Sequence, residues 1–415
     1  MILKLQDSYR WIILGTLFTV HVLTSIGQFS IPPLLPFIKK NFELNYTQVG
    51  IFSSSFYLGL GAMAAFGGSM SDFMGIKKVI ILGTLFMGAL MLFASWMNDF
   101  WWIIGFLICA GVSYSAVTPA TNKATMYWFQ DSLRATAMGA KQTGINAGGF
   151  IAAFIVPWMA VGYGWHLALS LTSILVAASA LIMVMFYREF QAQTQGRATF
   201  KTWKAQYRRV ISNRNVLFLG AEGFFRVGLQ NAYLAYLILY LQKVFDFSVM
   251  QASLYLALTQ LSGAFGRILW GLVSDRVFRG QRKTVYQLIA VASGFLFLVL
   301  GYLPPSTPIW VIVVLVLLLG ITAVGHQGVG LSLLGEAAGK ELTGTASGFN
   351  QSFYFLGVVL MAPLFGFMVD TFKGYHQAWV LLGLCAFIAA SLVLFVKEES
   401  KKGRVPLVAG ETTGP

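Results

Sequence analysis

Gly68-Ser69-Met70-Ser71-Asp72-Phe73-Met74-Gly75-Ile76-Lys77-Lys78 lies between two long apolar runs, so its reading is a tight turn at a membrane face. The pattern is G-x-x-x-D-x-x-G-x-[KR]-[KR]. It returns as Gly271-Leu272-Val273-Ser274-Asp275-Arg276, followed by Arg279-Gly280-Gln281-Arg282-Lys283, with the second Asp 203 positions after the first. The chemistry suits such a turn. Gly68 and Gly271 let two helices approach closely, and Gly75 releases the backbone for the turn. Each Asp can cap a helix and meet the cations that follow it. Lys77 and Lys78, and Arg276 in the second copy, hold their loops on the cytoplasmic side.

Composition agrees with a chain that lives in lipid. It is 57% hydrophobic and 11% charged, with a mean hydropathy of +0.71, against about 25% charged for a soluble domain. At about 20 residues per span, 415 residues accommodate roughly twelve spans with short loops. Candidate spans are 11–37, 47–70, 79–97, 100–126, 135–160 and 167–187, then 215–243, 249–273, 285–304, 308–334, 344–370 and 378–396. The first run is too long for a signal-peptide core and lacks a small-residue cleavage site. The chain therefore divides into an N-terminal six-helix bundle (1–187), a basic linker (188–214), a C-terminal six-helix bundle (215–396) and a tail (397–415).

The net charge of +14 would suggest nucleic acid in a soluble protein. Here topology accounts for it, and no nucleic-acid partner is expected. With both termini cytoplasmic, the inside segments hold 21 Lys and Arg, the outside segments 4, and the spans the remaining 4. This predicts a multi-pass inner-membrane protein whose partner is the bilayer itself. Cys109 and Cys385 both fall in apolar runs and give no disulfide framework.

The halves repeat beyond the Asp loops. An offset of 205 pairs Gly15 with Gly220 and His21 with Arg226; an offset of 209 pairs Lys141 with Asn350 and Gly148 with Gly357. Repeated six-helix halves imply a substrate site near the midplane between them. Ionisable groups at that depth are functional hypotheses by default. Arg226 and Lys141 are the leading anion ligands. His21, Asn350, Tyr354, Lys123 and His326 are further candidates, and Glu222 is the candidate proton carrier. Each has a plainer reading: Glu222 is one turn before Arg226 and can neutralise it, and Lys123 can snorkel to the interface. Arg267, in the block before the second Asp loop, reads as structural. Cations outnumber acids inside the spans, which favours an anionic substrate. No P-loop, metal-ligand spacing or catalytic constellation is present, so neither a cofactor nor an enzymatic activity is expected.

The two Asp loops resemble the signature of the major facilitator superfamily. The block Trp128-Phe129, Arg134, Ala137, Gly139, Lys141-Gln142-Thr143-Gly144 is similar to that of anion:cation symporters and of sugar-phosphate and organic-acid permeases. The resemblance implies an all-α membrane fold of twelve transmembrane helices in two pseudo-symmetric six-helix bundles, working by alternating access. It also implies that Asp72, Arg134, Asp275 and nearby cations form cytoplasmic locks. The expected activity is secondary transport of a small organic anion, a carboxylate, by a monomer coupled to a proton or a counter-anion. The alternatives are an exchanger, an exporter of hydrophobic molecules, or a non-transporting receptor.

Overall fold

The computed structural model describes residues 2–129, 131–189, 200–339 and 342–397. Among them are sixteen helices and no strand. The N-terminal half holds α1 (Ile2–Phe29), α2 (Ile31–Asn41), α3 (Tyr46–Met74), α4 (Ile76–Trp96), α5 (Phe100–Tyr114), α6 (Val117–Trp128), α7 (Asp131–Tyr163) and α8 (Trp165–Phe186). After α9 (Phe200–Ile211) come α10 (Arg214–Phe245), α11 (Val249–Leu272), α12 (Arg282–Gly301), α13 (Ile309–Leu319), α14 (Gln327–Ala338), α15 (Thr343–Phe372) and α16 (His376–Leu394). Three spans are built of two pieces each, α1 with α2, α5 with α6 and α13 with α14, so the halves have six spans apiece. Ten of the twelve are long and apolar enough to cross a bilayer by length and hydropathy. Of the other two, α10 carries Glu222 and Arg226, and α3 includes side chains outside the described residues. Large apolar side chains such as Leu181, Phe154, Ile268 and Phe367 stay exposed on the outer faces, as lipid contact requires.

Three features depart from the continuous spans read in the sequence. The first span breaks at Ser30, because Pro32 and Pro33 lack the N–H groups that an unbroken helix would use; they open α2 instead, and the Ser30 hydroxyl donates to Gly27 O at 2.7 Å. The tenth span breaks at Gly320–Val324, where the backbone widens into a π turn. Part of the basic linker is helical (α9), its Tyr207 ring lying edge-on to Phe349 of α15.

The Asp-loop turns are built as expected in part. Gly75, at φ +85°, is the single residue between α3 and α4, and Arg279 and Gly280 take positive φ in the second copy. Lys77 Nζ donates to Val184 O at the end of α8 (3.0 Å), and Lys283 Nζ to Leu394 O at the end of α16 (2.9 Å). These two cations thus finish the last helix of their own bundle. Asp275 lies 3.7 Å from Arg282, which also donates to Glu336 at 2.9 Å, so this cluster lies within one half. Arg276 and Lys78 are exposed. The side chains of Asp72 and Arg134, and the surroundings of Gly68, lie outside the described residues. The close helix approach expected at Gly271 is absent: a Cβ there would meet nothing within 4 Å. A Cβ at Gly139 or at Gly344 would likewise meet nothing within 4 Å.

At the far end the halves are closed. α3 and α15 pack along each other, with a Cβ at Gly61 lying 3.0 Å from Phe355. Asp370, near the end of α15, accepts from Tyr46 N (3.0 Å), Thr47 N (2.8 Å) and Thr47 Oγ1 (2.7 Å) at the start of α3. A carboxylate from one half therefore caps a helix of the other, where the helix dipole favours negative charge. Tyr236 Oη donates to Tyr46 O at 2.6 Å beside it. Stacked on this contact are Tyr236 and Phe365 (4.5 Å between centroids), Phe365 and Trp379 (4.7 Å), and Tyr46 and Tyr375 (5.5 Å).

Candidate functional site

Between the halves, below the aromatic seal, lies a cavity of about 230 Å³. The N-terminal half lines it with Gln28, Tyr57, Tyr114 and Asn146, and the C-terminal half with Gln230, Asn231, Gln260 and Tyr354 among others. Among the described lining residues, Arg267 carries the only fixed charge, and none is an acid. A wall of phenols, amides and one guanidinium selects for a solute with acceptor oxygens and negative charge.

The break in the tenth span positions this charge. Gly266 of α11 rides on the π turn so closely that a Cβ would lie 2.6 Å from Ile321 O, and a Cβ on Gly325 would lie 2.9 Å from Gly266 Cα. Only glycines permit that approach. The turn also releases backbone carbonyls from the α pattern. Trp270 Nε1 donates to Ile321 O at 2.9 Å and His326 Nδ1 to Ala323 O at 3.0 Å. The outcome is that Arg267 and His326, from neighbouring spans, line the same cavity. Among the described residues Arg267 has no ion-pair or hydrogen-bond partner, and its Nε is buried without one.

Two buried ionic clusters sit behind the wall, one in each half, and the C-terminal one reaches the wall through Tyr286. In the C-terminal half, Arg226 pairs with Glu222, donates from Nη2 to Tyr286 O at 3.1 Å and lies 4.2 Å over the Tyr286 ring. Tyr286 Oη donates to the other carboxylate oxygen of Glu222 at 2.8 Å. In the N-terminal half, Lys141 Nζ donates to Thr121 Oγ1 (3.2 Å) and Asn122 Oδ1, and His21 Nε2 meets the same Thr121 oxygen at 2.9 Å. Thr121 gives its own proton to Thr118 O at 2.9 Å, so toward His21 it accepts and the His21 proton sits on Nε2. Among the described residues no carboxylate pairs with Lys141.

The residues expected from sequence therefore separate. Tyr354 and His326 line the cavity. Arg226, the leading expected ligand, does not, and its guanidinium is consumed by Glu222 and Tyr286. Glu222 is held by the same pair, which leaves no free carboxylate oxygen for the proton-carrier role it was expected to play. Lys141 and His21 are fully buried one layer behind the wall, and Asn350 is buried against Gly220, which a Cβ would bring within 3.1 Å of its Oδ1. Lys123 is half-buried, 5.9 Å from the Tyr127 ring and away from the cavity. Arg267, read as structural, stands at the wall instead. A signal for it is present in the spacing: Gln260 lines the same cavity, and Arg267 is seven residues on, two turns along the same helical face.

A polar cavity enclosed between two six-helix bundles is the build of a membrane transporter rather than an enzyme. The chain belongs to the Major Facilitator Superfamily, whose family model matches residues 17–360 and again 279–413. It is 23% identical to a probable sulfoacetate transporter, SauU, of Cupriavidus necator, over 95% of each chain. It is 24% identical to the hexuronate transporter of Bacillus subtilis, over 92% of this chain and 93% of that one. Among solved structures, a D-xylose-proton symporter superposes with a TM-score of 0.79 at 14% identity, covering 96% of this chain and all of the other; that likeness concerns the fold.

Proposed function

We propose that this transporter carries a small organic anion, a carboxylate, by alternating access across the bacterial inner membrane as a proton symporter. The observation that carries the reading is Arg267: a guanidinium with no partner among the described residues, at the wall of a cavity whose described lining holds no other fixed charge. Such a group is costly in a membrane interior unless an anion completes it, and its planar fork suits the paired oxygens of a carboxylate. Tyr354 and the neighbouring amides supply donors for the rest of the molecule. Relatives named for sulfoacetate and hexuronate support an acidic solute. The Lys and Arg bias supports cytoplasmic termini. In that orientation the closed far end faces outward, which reads as an inward-facing state. Arg226 and Lys141, one layer back, shape the potential of the site rather than touching the solute.

Counterflow in proteoliposomes with labelled sulfoacetate, glucuronate and glucose 6-phosphate tests the proposal. At least one should exchange in wild type. Arg267→Ala should lower its transport roughly 30-fold or more, the scale of stranding an anion without its partner, and Arg267→Lys should restore part. Transport unaffected by Arg267→Ala sinks the assignment.

A further inference from the structure

A symporter needs a group that binds the proton where it can sense the anion. Glu222 is engaged on both oxygens by Arg226 and Tyr286. His21 is buried behind the wall with its Nε2 on Thr121. His166 holds Ser95 O at 2.6 Å and His376 holds Gly301 O at 3.0 Å, and neither lines the cavity. His326 is different. Its Nδ1 faces Ala323 O, and a carbonyl can only accept, so Nδ1 carries a proton in every ionisation state. All titration then falls on Nε2, which has no hydrogen-bond partner among the described residues, in a ring that lines the same cavity as Arg267.

We infer that His326 is the proton-binding residue of this transporter and that it takes its proton together with the anion held by Arg267. It rests on the anion reading of Arg267 given above. The charged groups whose field reaches the ring are Arg226 from α10 and Arg267 from α11; Tyr286 from α12 lies 6.2 Å away between centroids, and it and Tyr354 of α15 line the same cavity. Arg226 is compensated by Glu222. Arg267 is not, so an empty cavity sets a bare cation against a protonated imidazole. An anion bound to Arg267 removes that repulsion and gives Nε2–H an acceptor. Proton and anion then favour each other's binding to the same extent, as linkage requires. On the cytoplasmic side, loss of either one loosens the other. The chemistry is a reversible protonation at Nε2 with no other bond changed. The device depends on the π turn, because an unbroken tenth span would keep the Ala323 carbonyl in its own helix and leave the imidazole free to choose its tautomer.

The test uses the purified full-length protein in detergent with sulfoacetate as probe, glucuronate and glucose 6-phosphate as second choices, and a pH-indicator dye in weak buffer. Wild type should take up about one proton per anion bound. Its affinity should weaken up to about tenfold per pH unit once the imidazole has lost its proton, the limit for one linked proton. His326→Gln, which puts an amide near Nε2, should bind more weakly, release or take up no proton, and show a Kd flat with pH. His326→Asn, which keeps an amide donor for Ala323 O, should behave alike and separates the titration from the backbone bond. Melting curves with and without the anion establish that each variant is folded. Wild type binding the anion with no proton uptake overturns the inference, and so does either folded variant taking up a proton as wild type does. If none of the three probes binds wild type, the anion reading fails first.

Discussion

The two buried cation clusters occupy related places in the two halves and are solved in opposite ways. Arg226 and its symmetry mate His21 mark the same depth, yet around Arg226 the protein supplies a carboxylate, a phenol and a backbone carbonyl, whereas around Lys141 and His21 it supplies a threonine hydroxyl and an asparagine amide. One cluster is electrically closed; the other holds its cation with dipoles alone. The lesson is that depth in the membrane does not by itself identify a ligand. A buried guanidinium with its own carboxylate is finished, and the one left open, Arg267, is the one at the cavity wall.

This contrast breaks most sharply at Glu222. Glu222→Ala leaves Arg226 buried and unpaired and should cost about 3–5 kcal/mol, the scale for removing one member of a buried pair; a large fall in melting temperature in detergent checks it, and a fall within error would mean that Arg226 is not compensated as described. Next in size is the junction between the halves. Asp370→Ala removes three hydrogen bonds to a carboxylate, which should cost the closed far end about 1.5–3 kcal/mol and raise the outward-open population; spin-label distances across the far end would lengthen, and an unchanged distribution would deny Asp370 that part. The smallest effect belongs to the open cluster. Lys141→Met deletes a charge that no acid offsets, so stability should change by under about 1 kcal/mol or rise slightly. A loss as large as that of Glu222→Ala would make the two clusters equivalent and remove the distinction.

Much of this fold is legible in the sequence because a bilayer leaves few options: apolar runs must be helices, and a repeated Asp turn fixes two matching halves. The interruption after Phe29 is also readable in Pro32 and Pro33. The interruption at Gly320–Val324 is not, since no proline marks it and the run stays apolar; it arises where Gly263 and Gly266 of α11 press on Gly320 and Gly325. The site depends on that interruption. Arg226 drew attention by its depth and Arg267 was passed over as part of a loop signature, although the turn count from Gln260 puts it on the cavity face. Hydropathy locates a residue along the membrane normal. Which way it turns, and whether a neighbour has already neutralised it, are tertiary facts. Gly271 shows the same limit, because its freedom to pack closely goes unused.

The Asp370 junction has a further consequence for how the cycle responds to its surroundings. In the proposed orientation, every outward opening takes a carboxylate away from two backbone amides and a hydroxyl and hands all of them to the external solvent. That makes the opening a wetting event, since water has to arrive as the contact parts. Turnover in this half of the cycle is therefore tied to external water activity, and high concentrations of an excluded osmolyte such as sucrose should slow it more than they slow the release of solute at the other face.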